Sequence, residues 1–264
     1  MCQADRETLL DAFLDYVADQ DGQLVIIGDL FELLRYRLDR IIARRGRLLD
    51  RLARMETIYV PGNHDEDAVR WMTASDVPHP FFARMSQAFT RDIGQKRFKF
   101  LHGHEVDPFI NAPIQHIGRV IGSVAHLLEY RHGACILSND AVTDALLEAG
   151  EHVLQLWRKL TGGVNQVIVD CCGMMPAENV TRLLRSHRTR HMLERYHADK
   201  AEGLYDVAIV GHTHKAGTVG GWYYNSGSWT ARTNNFLRIA PGGTVDVFDW
   251  GRRGPRISRS VVTT

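Results

Sequence analysis

Apolar and polar positions follow two patterns along the chain. The segments "RETLLDAFLDYVADQDG" and "LLRYRLDRIIARRGRLLDRLARM" carry apolar residues at helical spacing, and the polar face of the second is almost entirely arginine. Short apolar runs that lead into glycine or histidine lie between and after them, in "QLVIIGD", "TIYVPGNHDED", "KRFKFLHGHEVDP" and "YDVAIVGHTHKAG". Helices that alternate with such strands predict an α/β core.

The pattern changes for part of the chain. From about 109 to 204 it is mainly helical, and strands then resume through "GWYYNSGSW", "NFLRIAP" and "TVDVFDW". We therefore predict a single domain, 1–264, that contains a helical insertion at 109–204, placed as a cap or lid. The insertion's apolar helices either receive part of a substrate or simply pack on each other and on the core.

Composition narrows the class of protein. The 264 residues carry a net charge of +1, so no global field draws the chain to nucleic acid or membrane. No apolar run reaches the length of a membrane span, and four cysteines without a paired framework favour a reducing cytoplasm. The arginine face leaves two interpretations open, a solvated helix face or a surface for anionic lipid or phosphate.

Polar groups follow four of the apolar strands directly. These strand ends are Gly28-Asp29, Gly62-Asn63-His64-Asp65, His102-Gly103-His104 and Gly211-His212-Thr213-His214. Because parallel strands end side by side, we expect the four ends to meet at one edge of a sheet. Carboxylate, amide and imidazole groups without thiol suit divalent metals such as Mn, Fe or Zn. The spacing therefore predicts a metal site.

This set of motifs resembles the signature of the calcineurin-like metallophosphoesterases. The matching pieces are "GD" at 28–29, "GNHD" at 62–65, "HG" at 102–103 and "GHTH" at 211–214. The resemblance implies a two-sheet β-sandwich flanked by helices, with two divalent ions at one edge. Mn²⁺ is the first expectation, with Fe, Zn or Mg as alternatives.

The resemblance also implies a role for each matching residue. Asp29 would bridge the two metals, the second of which would also bind Asn63, His102 and His212, while the first would bind His214. His64 would contact the scissile phosphate and protonate the leaving oxygen, helped by Asp65. His104 would touch a ligand or the substrate rather than a metal. Arg188, in a basic helical patch, would either bind a substrate phosphate or face solvent.

The family's first motif, D-x-H, is missing from the chain. Counting back from Asp29 reaches Met1 or the position before it, and Asp5, Asp11 and Asp15 have no histidine two residues later. One explanation is that Met1 is internal to a longer protein whose first strand and D-x-H precede it. The other is a true variant whose first metal site keeps only Asp29 and His214.

Within the family, the chain is most similar to UDP-2,3-diacylglucosamine hydrolases. The similarity rests on "GDLFELL", "HGHEVDP", "GHTHKAG" and "YYNSGSW", although His104 and Ser228 stand where relatives often have Asp. It implies hydrolysis of a phosphoester or pyrophosphate bond in a phosphorylated small molecule or nucleotide-lipid, in the cytoplasm or at the inner membrane. The alternative from another class is a non-catalytic metal- or phosphate-binding scaffold. A nuclease is disfavoured by the near-zero net charge.

Overall fold

The computed structural model describes residues 3–33, 36–72, 77–107, 190–229 and 234–258. Two compact units divide the chain: Met1–Glu105 with Tyr196–Thr263 form one, and Val106–Arg195 with Thr264 form the other. The elements that carry the candidate site belong to the first unit. Arg188 and most of the predicted insertion, 109–204, lie outside the described residues, so both remain predictions.

Both predicted helices of the N-terminal region are present. Helix α1 spans Gln3–Asp19 and α2 spans Leu38–Arg54, and a third helix, α3, runs through 190–201. Helix α2 begins later than its sequence pattern suggests, because Leu33 donates its backbone N–H to the carbonyl of His64 at 3.0 Å and belongs to a loop. Three short 3₁₀ helices follow site or core loops: Glu66–Trp71, Pro80–Arg84 and His104–Val106.

Ten strands are described, in three sheets. They are β1 Val25–Ile27, β2 Ile58–Val60, β3 Ala88–Ile93, β4 Lys96–Leu101, β5 Val207–Val210, β6 Gly217–Val219, β7 Tyr223–Asn225, β8 Asn235–Ile239, β9 Val245–Gly251 and β10 Gly254–Ile257. The strand orders are β1-β2, β10-β9-β8 and β3-β4-β5-β7-β6. The β1–β2, β4–β5 and β5–β7 pairs are parallel and the others antiparallel, so the sheets are mixed.

The predicted fold class is confirmed as α/β with mixed sheets flanked by helices. The described strands form three sheets rather than two, because β1 and β2 pair only with each other. Strands β3, β6 and β10 were not predicted, and each lies at the edge of its sheet. Edge strands are exposed along much of their length, so their apolar pattern is weak.

Two hydrophobic clusters hold these elements together. The larger packs α1 and α2 against β2 and the 3₁₀ helix Pro80–Arg84, with Leu14, Leu49, Tyr59, Phe81 and Phe82 buried. The smaller has as its buried members Phe98, Phe100, Val207 and Ile209. Val25 and Ile27 of β1 pack against the smaller cluster, so side-chain packing brings the end of β1 to the ends of β4 and β5. In the described ranges, no helix is both long enough and apolar enough to cross a bilayer.

Candidate active site

The end of β1 is shaped for close approach of a histidine. Gly28 has a φ of +78°, and a Cβ at this position would overlap the ring of His102. Only glycine fits such a left-handed, crowded position without strain. The next residue, Asp29, also has a positive φ, +54°, and its Oδ1 accepts the backbone N–H of His64 at 3.0 Å. The Asp29 carboxylate therefore joins the Gly28-Asp29 strand end to the Gly62-Asn63-His64-Asp65 strand end.

The tautomer of His102 is set by the same strand. Its Nδ1 lies 2.9 Å from the carbonyl oxygen of Ile27 and donates to it, which leaves a lone pair on Nε2 in the neutral ring. Nε2 lies 3.2 Å from Oδ2 of Asp29, but without hydrogen-bond geometry, and has no other hydrogen-bond partner. Two acceptors so close are repulsive unless a proton or a cation lies between them. Ligand atoms on neighbouring positions of one ion are about 3 Å apart, so the pair fits a divalent cation.

Without a cation, charge on His102 and Asp29 stabilises the pair. Burial lowers the pKa of His102, but the contact with Asp29 raises it by more, so the net pKa is raised. Burial raises the pKa of Asp29, while His102 and then His64 lower it by more, so the net pKa lies well below its usual range. A cation would take over the role of the imidazole proton, since metal binding releases protons from its ligands.

Asn63 supplies a second indication that this edge accepts a cation. Its Oδ1 is buried and has no hydrogen-bond partner, which is costly for a polar atom. The preceding Gly62 must lack a side chain, because a Cβ there would overlap Oδ1 of Asp29. Asp29, Asn63 and His102 are thus three predicted ligands near the ends of β1, β2 and β4. Their oxygen and imidazole atoms fit the predicted metal type.

The "GHTH" loop brings a further histidine to this edge. The ring of His212 lies 5.2 Å, centroid to centroid, from the ring of His102. His212 and His214 have φ values of +61° and +58°, so both break the extended course of β5. Within the described ranges, no three His, Cys, Asp or Glu side chains already converge closely enough to hold an ion. His212 therefore lies beside the Asp29–His102 pair, and the metal roles of the five predicted ligands stay predictions.

Asn225 at the end of β7 holds the "GHTH" loop in place. Its Nδ2 donates to the carbonyl oxygen of Gly211 and, at 3.0 Å, to Oγ1 of Thr213, and its Oδ1 accepts from the N–H of Gly227 at 2.9 Å. The side chain is fully buried. Sequence reasoning noted "YYNSGSW" without assigning Asn225 a task; its place directly after an apolar strand was the available signal.

We expect Asn225→Asp to weaken Mn²⁺ binding by about 10- to 100-fold, as for residues that orient ligands. A carboxylate keeps the size of the amide but cannot donate to Gly211 or Thr213, so the His212 loop loses its anchor. Isothermal titration with Mn²⁺ measures the affinity. Thr213→Val, which removes only one acceptor, is the matched control and should have the smaller effect. Equal affinities in Asn225→Asp and the parent protein would contradict the anchoring role.

His64 lies against a carboxylate that sequence reasoning missed. Its Nδ1 is 3.0 and 3.1 Å from the two oxygens of Glu32, and its side chain is 40% exposed. The contact with Glu32 raises the pKa of His64, although burial acts in the opposite direction. A protonated, accessible imidazole held by a carboxylate is suited to donate a proton. The third position after Asp29 in "GDLFE" was the signal for Glu32.

Asp65 makes its hydrogen bonds away from the His64 ring, and its predicted help to His64 stays a prediction. Its carboxylate is completely buried and accepts from the N–H groups of Leu30 at 2.9 Å and Phe31 at 3.3 Å. It also accepts from the Tyr59 hydroxyl and the Gly62 N–H. Glu32, not Asp65, is the carboxylate in hydrogen-bond contact with the His64 ring. Asp65 instead ties the loop after β1 to the loop after β2.

His104 lies beside the predicted ligands. Its ring centroid is 5.3 Å from that of His102 and 6.3 Å from that of His212. Its Nδ1 lies 3.8 Å from a carboxylate oxygen of Glu105, and burial lowers the pKa of the ring. This location agrees with a neighbour of the ligands, and its contact with a substrate stays a prediction.

The known proteins named in this paragraph resemble the chain only distantly. Among curated proteins, none is significantly similar to the chain. Solved structures that match include a double mutant of Vps29 from Entamoeba histolytica, with 15% identity, 96% of this chain and 89% of that chain covered, and a TM-score of 0.37. Vacuolar Protein Sorting 29 from Cryptosporidium parvum matches at 12% identity, 90% and 80% coverage and a TM-score of 0.34. Likeness at this level has no bearing on function.

The family model is the decisive comparison. The model of the calcineurin-like phosphoesterases matches residues 2–216, which include all four strand-end motifs. The residues that it spans also contain the Asp29–His102 pair and the His64–Glu32 pair described above. The chain therefore belongs to the calcineurin-like phosphoesterase family.

Proposed function

We propose that the protein hydrolyses a phosphoester or pyrophosphate bond with the help of divalent metal, Mn²⁺ being the first choice. The observation that carries the proposal is the buried contact of 3.2 Å between Oδ2 of Asp29 and Nε2 of His102, which lacks hydrogen-bond geometry and lies beside the partly exposed His64–Glu32 pair. A cation-binding pair next to a proton donor suits phosphoryl transfer, where charge neutralisation and leaving-group protonation are both needed. Family membership supports the reaction class.

Several side chains would hold the metals. Asp29, Asn63, His102 and His212 are the candidate ligands of the second metal, and Asp29 with His214 those of the first, which has fewer protein ligands in this chain. The bound ions would neutralise phosphate oxygens and activate water. The fit rests on two buried atoms, Nε2 of His102 and Oδ1 of Asn63, each without a hydrogen-bond partner.

The protein's own part in the reaction centres on His64. Glu32 accepts a hydrogen bond from Nδ1–H of His64, which orients the imidazole and favours its protonated form. The ring can then give a proton to the oxygen of the leaving group as the bond to phosphorus breaks. Asp65 keeps the His64 loop attached to the Asp29 loop through buried hydrogen bonds. The substrate class that sequence similarity suggests is a nucleotide-lipid such as UDP-2,3-diacylglucosamine.

Hydrolysis of bis-p-nitrophenyl phosphate and of a UDP-sugar lipid, with and without Mn²⁺, tests the proposal. We expect Mn²⁺-dependent turnover that a chelator abolishes and that fails in His102→Ala. An alkyl phosphodiester serves as a further substrate, because its leaving group needs protonation whereas p-nitrophenolate does not. His64→Ala and Glu32→Gln should slow hydrolysis of the alkyl ester by about 10²-fold or more, and hydrolysis of the aryl ester, bis-p-nitrophenyl phosphate, much less. Absence of Mn²⁺-dependent turnover with both substrates contradicts the proposal. Equal slowing of both esters contradicts the role of His64.

A non-catalytic scaffold that binds metal or phosphate is the second candidate. The observation that favours it is that no three His, Cys, Asp or Glu side chains in the described ranges converge on one point. Too few ligands bind a catalytic ion weakly. One Mn²⁺ bound per chain, with no hydrolysis of either ester, would support the scaffold over the hydrolase.

A further inference from the structure

Helix α2 carries a row of arginines along one side, most of them exposed to solvent. Its buried side contains Leu49 and Leu52, and its opposite side carries five arginines that we call the arginine stripe: Arg40, Arg44, Arg47, Arg51 and Arg54. At about 100° per residue these positions fall within a sector of about 80°, and at about 1.5 Å rise they extend over about 21 Å. The two acidic residues of the helix, Asp39 and Asp50, lie to one side of that sector.

Few of these charges are neutralised by the protein. Arg51, the fourth member along the stripe, has a side chain only 25% exposed and forms ion pairs with Asp11 at 3.3 Å and with Asp15. No described carboxylate forms an ion pair with the guanidinium groups of the other four members. Those four side chains belong to exposed residues. The stripe is therefore open to an anionic partner.

The stripe is also unfavourable for the helix itself. Its members are spaced three or four residues apart, so each faces a like charge, and such pairs destabilise a helix. Arg40 lies in the first turn, where the helix dipole disfavours a cation, and no side chain caps the helix. A face selected only for solubility would gain from mixed signs of charge. Helix stability therefore does not account for Arg40, Arg44 and Arg47, whereas Arg51 and Arg54 lie in the last turn, where the dipole favours cations.

Exposed apolar side chains lie next to the start of the stripe. Tyr36 is 54% exposed and Met72 is 37% exposed. Tyr36 and Trp71, the neighbour of Met72, line a common open cavity of about 490 Å³ together with Leu33 and Leu38; its charged lining residues are Arg37, Asp39, Asp67 and Arg70. The backbone of a nucleic-acid duplex offers these side chains no apolar surroundings, whereas the membrane–water interface does. Tyr is frequent at that interface. This contrast favours lipid over nucleic acid.

We propose that the arginine stripe docks the protein on an anionic membrane surface, with Tyr36 and Met72 entering the headgroup region. The helix lies flat on the surface, because its apolar side is already buried in the core. Each arginine near such a surface strengthens binding about five-fold. The attraction falls as salt screens it. This proposal does not depend on the hydrolase activity.

Co-sedimentation with phospholipid vesicles tests the proposal. We expect the full chain to bind phosphatidylcholine vesicles that contain about 30% phosphatidylglycerol, to bind pure phosphatidylcholine much less, and to be released between about 50 and 500 mM salt. Changing Arg40, Arg44, Arg47 and Arg54 to Gln should weaken binding several-hundred-fold, at about five-fold for each arginine. The same four positions changed to Lys should bind nearly as well as the parent.

A second set of exposed basic residues provides the matched control: Arg91, Lys96, Arg253 and Arg256, each changed to Gln. This variant removes the same charge and should retain most of the vesicle binding. Tyr36→Ala should weaken vesicle binding at every salt concentration, because it removes an apolar contact that salt does not screen. Equal loss in the control, equal binding to neutral vesicles, or binding to duplex DNA without binding to vesicles would each overturn the proposal. Circular dichroism confirms that the variants compared are folded.

Discussion

Asp29→Ala is expected to abolish Mn²⁺-dependent hydrolysis, with kcat/KM falling by about 10³-fold or more. The substitution removes the carboxylate that faces Nε2 of His102 at 3.2 Å and that accepts the His64 N–H at 3.0 Å. It therefore removes a predicted ligand of both metals and the link between two motifs. Loss of a group on which several others depend typically costs this much or more. Initial rates with bis-p-nitrophenyl phosphate and Mn²⁺ titration measure the two effects.

Two controls separate chemistry from backbone strain at Asp29. Alanine at a positive φ is itself unfavourable, so Asp21→Ala, at an exposed residue with a φ of +50°, reports that cost alone. Asp29→Asn retains the shape of the side chain and should still lose most of its metal affinity, since a neutral amide binds cations less well. Activity within about tenfold of the parent in Asp29→Ala would show that Asp29 is not a metal bridge.

Asp65→Ala is expected to destabilise the fold by about 3–5 kcal/mol, which is large for a single substitution of a buried polar residue. The buried carboxylate accepts from three backbone N–H groups and the Tyr59 hydroxyl, and alanine would leave all four donors unpaired. Burial of Asp65 raises its pKa, but the hydrogen bond from Tyr59 acts against that rise. Urea unfolding followed by circular dichroism gives the change in the free energy of unfolding.

Tyr59→Phe is the matched control for Asp65. It removes one donor and leaves the three backbone donors paired, so about 1–2 kcal/mol is expected. An exposed acid such as Asp19, changed to Ala, should have an effect within about 0.5 kcal/mol. A loss of less than about 1 kcal/mol in Asp65→Ala would contradict its role as the joint between the two loops.

Residue types and strand ends allowed most of the site's composition to be predicted. Glycine followed by acid or amide after an apolar strand marks Asp29 and Asn63, because the backbone must turn sharply there. Three of the five described non-glycine residues with positive φ are predicted ligands: Asp29, His212 and His214. Local patterns could identify these positions, since the constraint is local to each strand end.

Contacts between distant loops could not be predicted in the same way. Glu32 and His64 lie on different loops, and only the folded chain shows that Glu32, rather than Asp65, reaches the imidazole. Asn225 likewise lies 14 residues after Gly211, which belongs to the loop that Asn225 holds in place. Sheet order is similar: nothing in the strand patterns indicates that β1 and β2 form a separate pair. Such features depend on tertiary packing.

The left-handed backbone at His212 and His214 sets stability against activity. A side chain at such φ values costs roughly 1 kcal/mol relative to glycine at the same position. Glycine at either position would therefore relieve strain and stabilise the folded chain, but it would remove an imidazole from the candidate site. In a homologue that had lost the activity, selection for histidine at these positions would be absent and glycine would be expected to replace it. Histidine retained at both positions would therefore indicate that the site is still used.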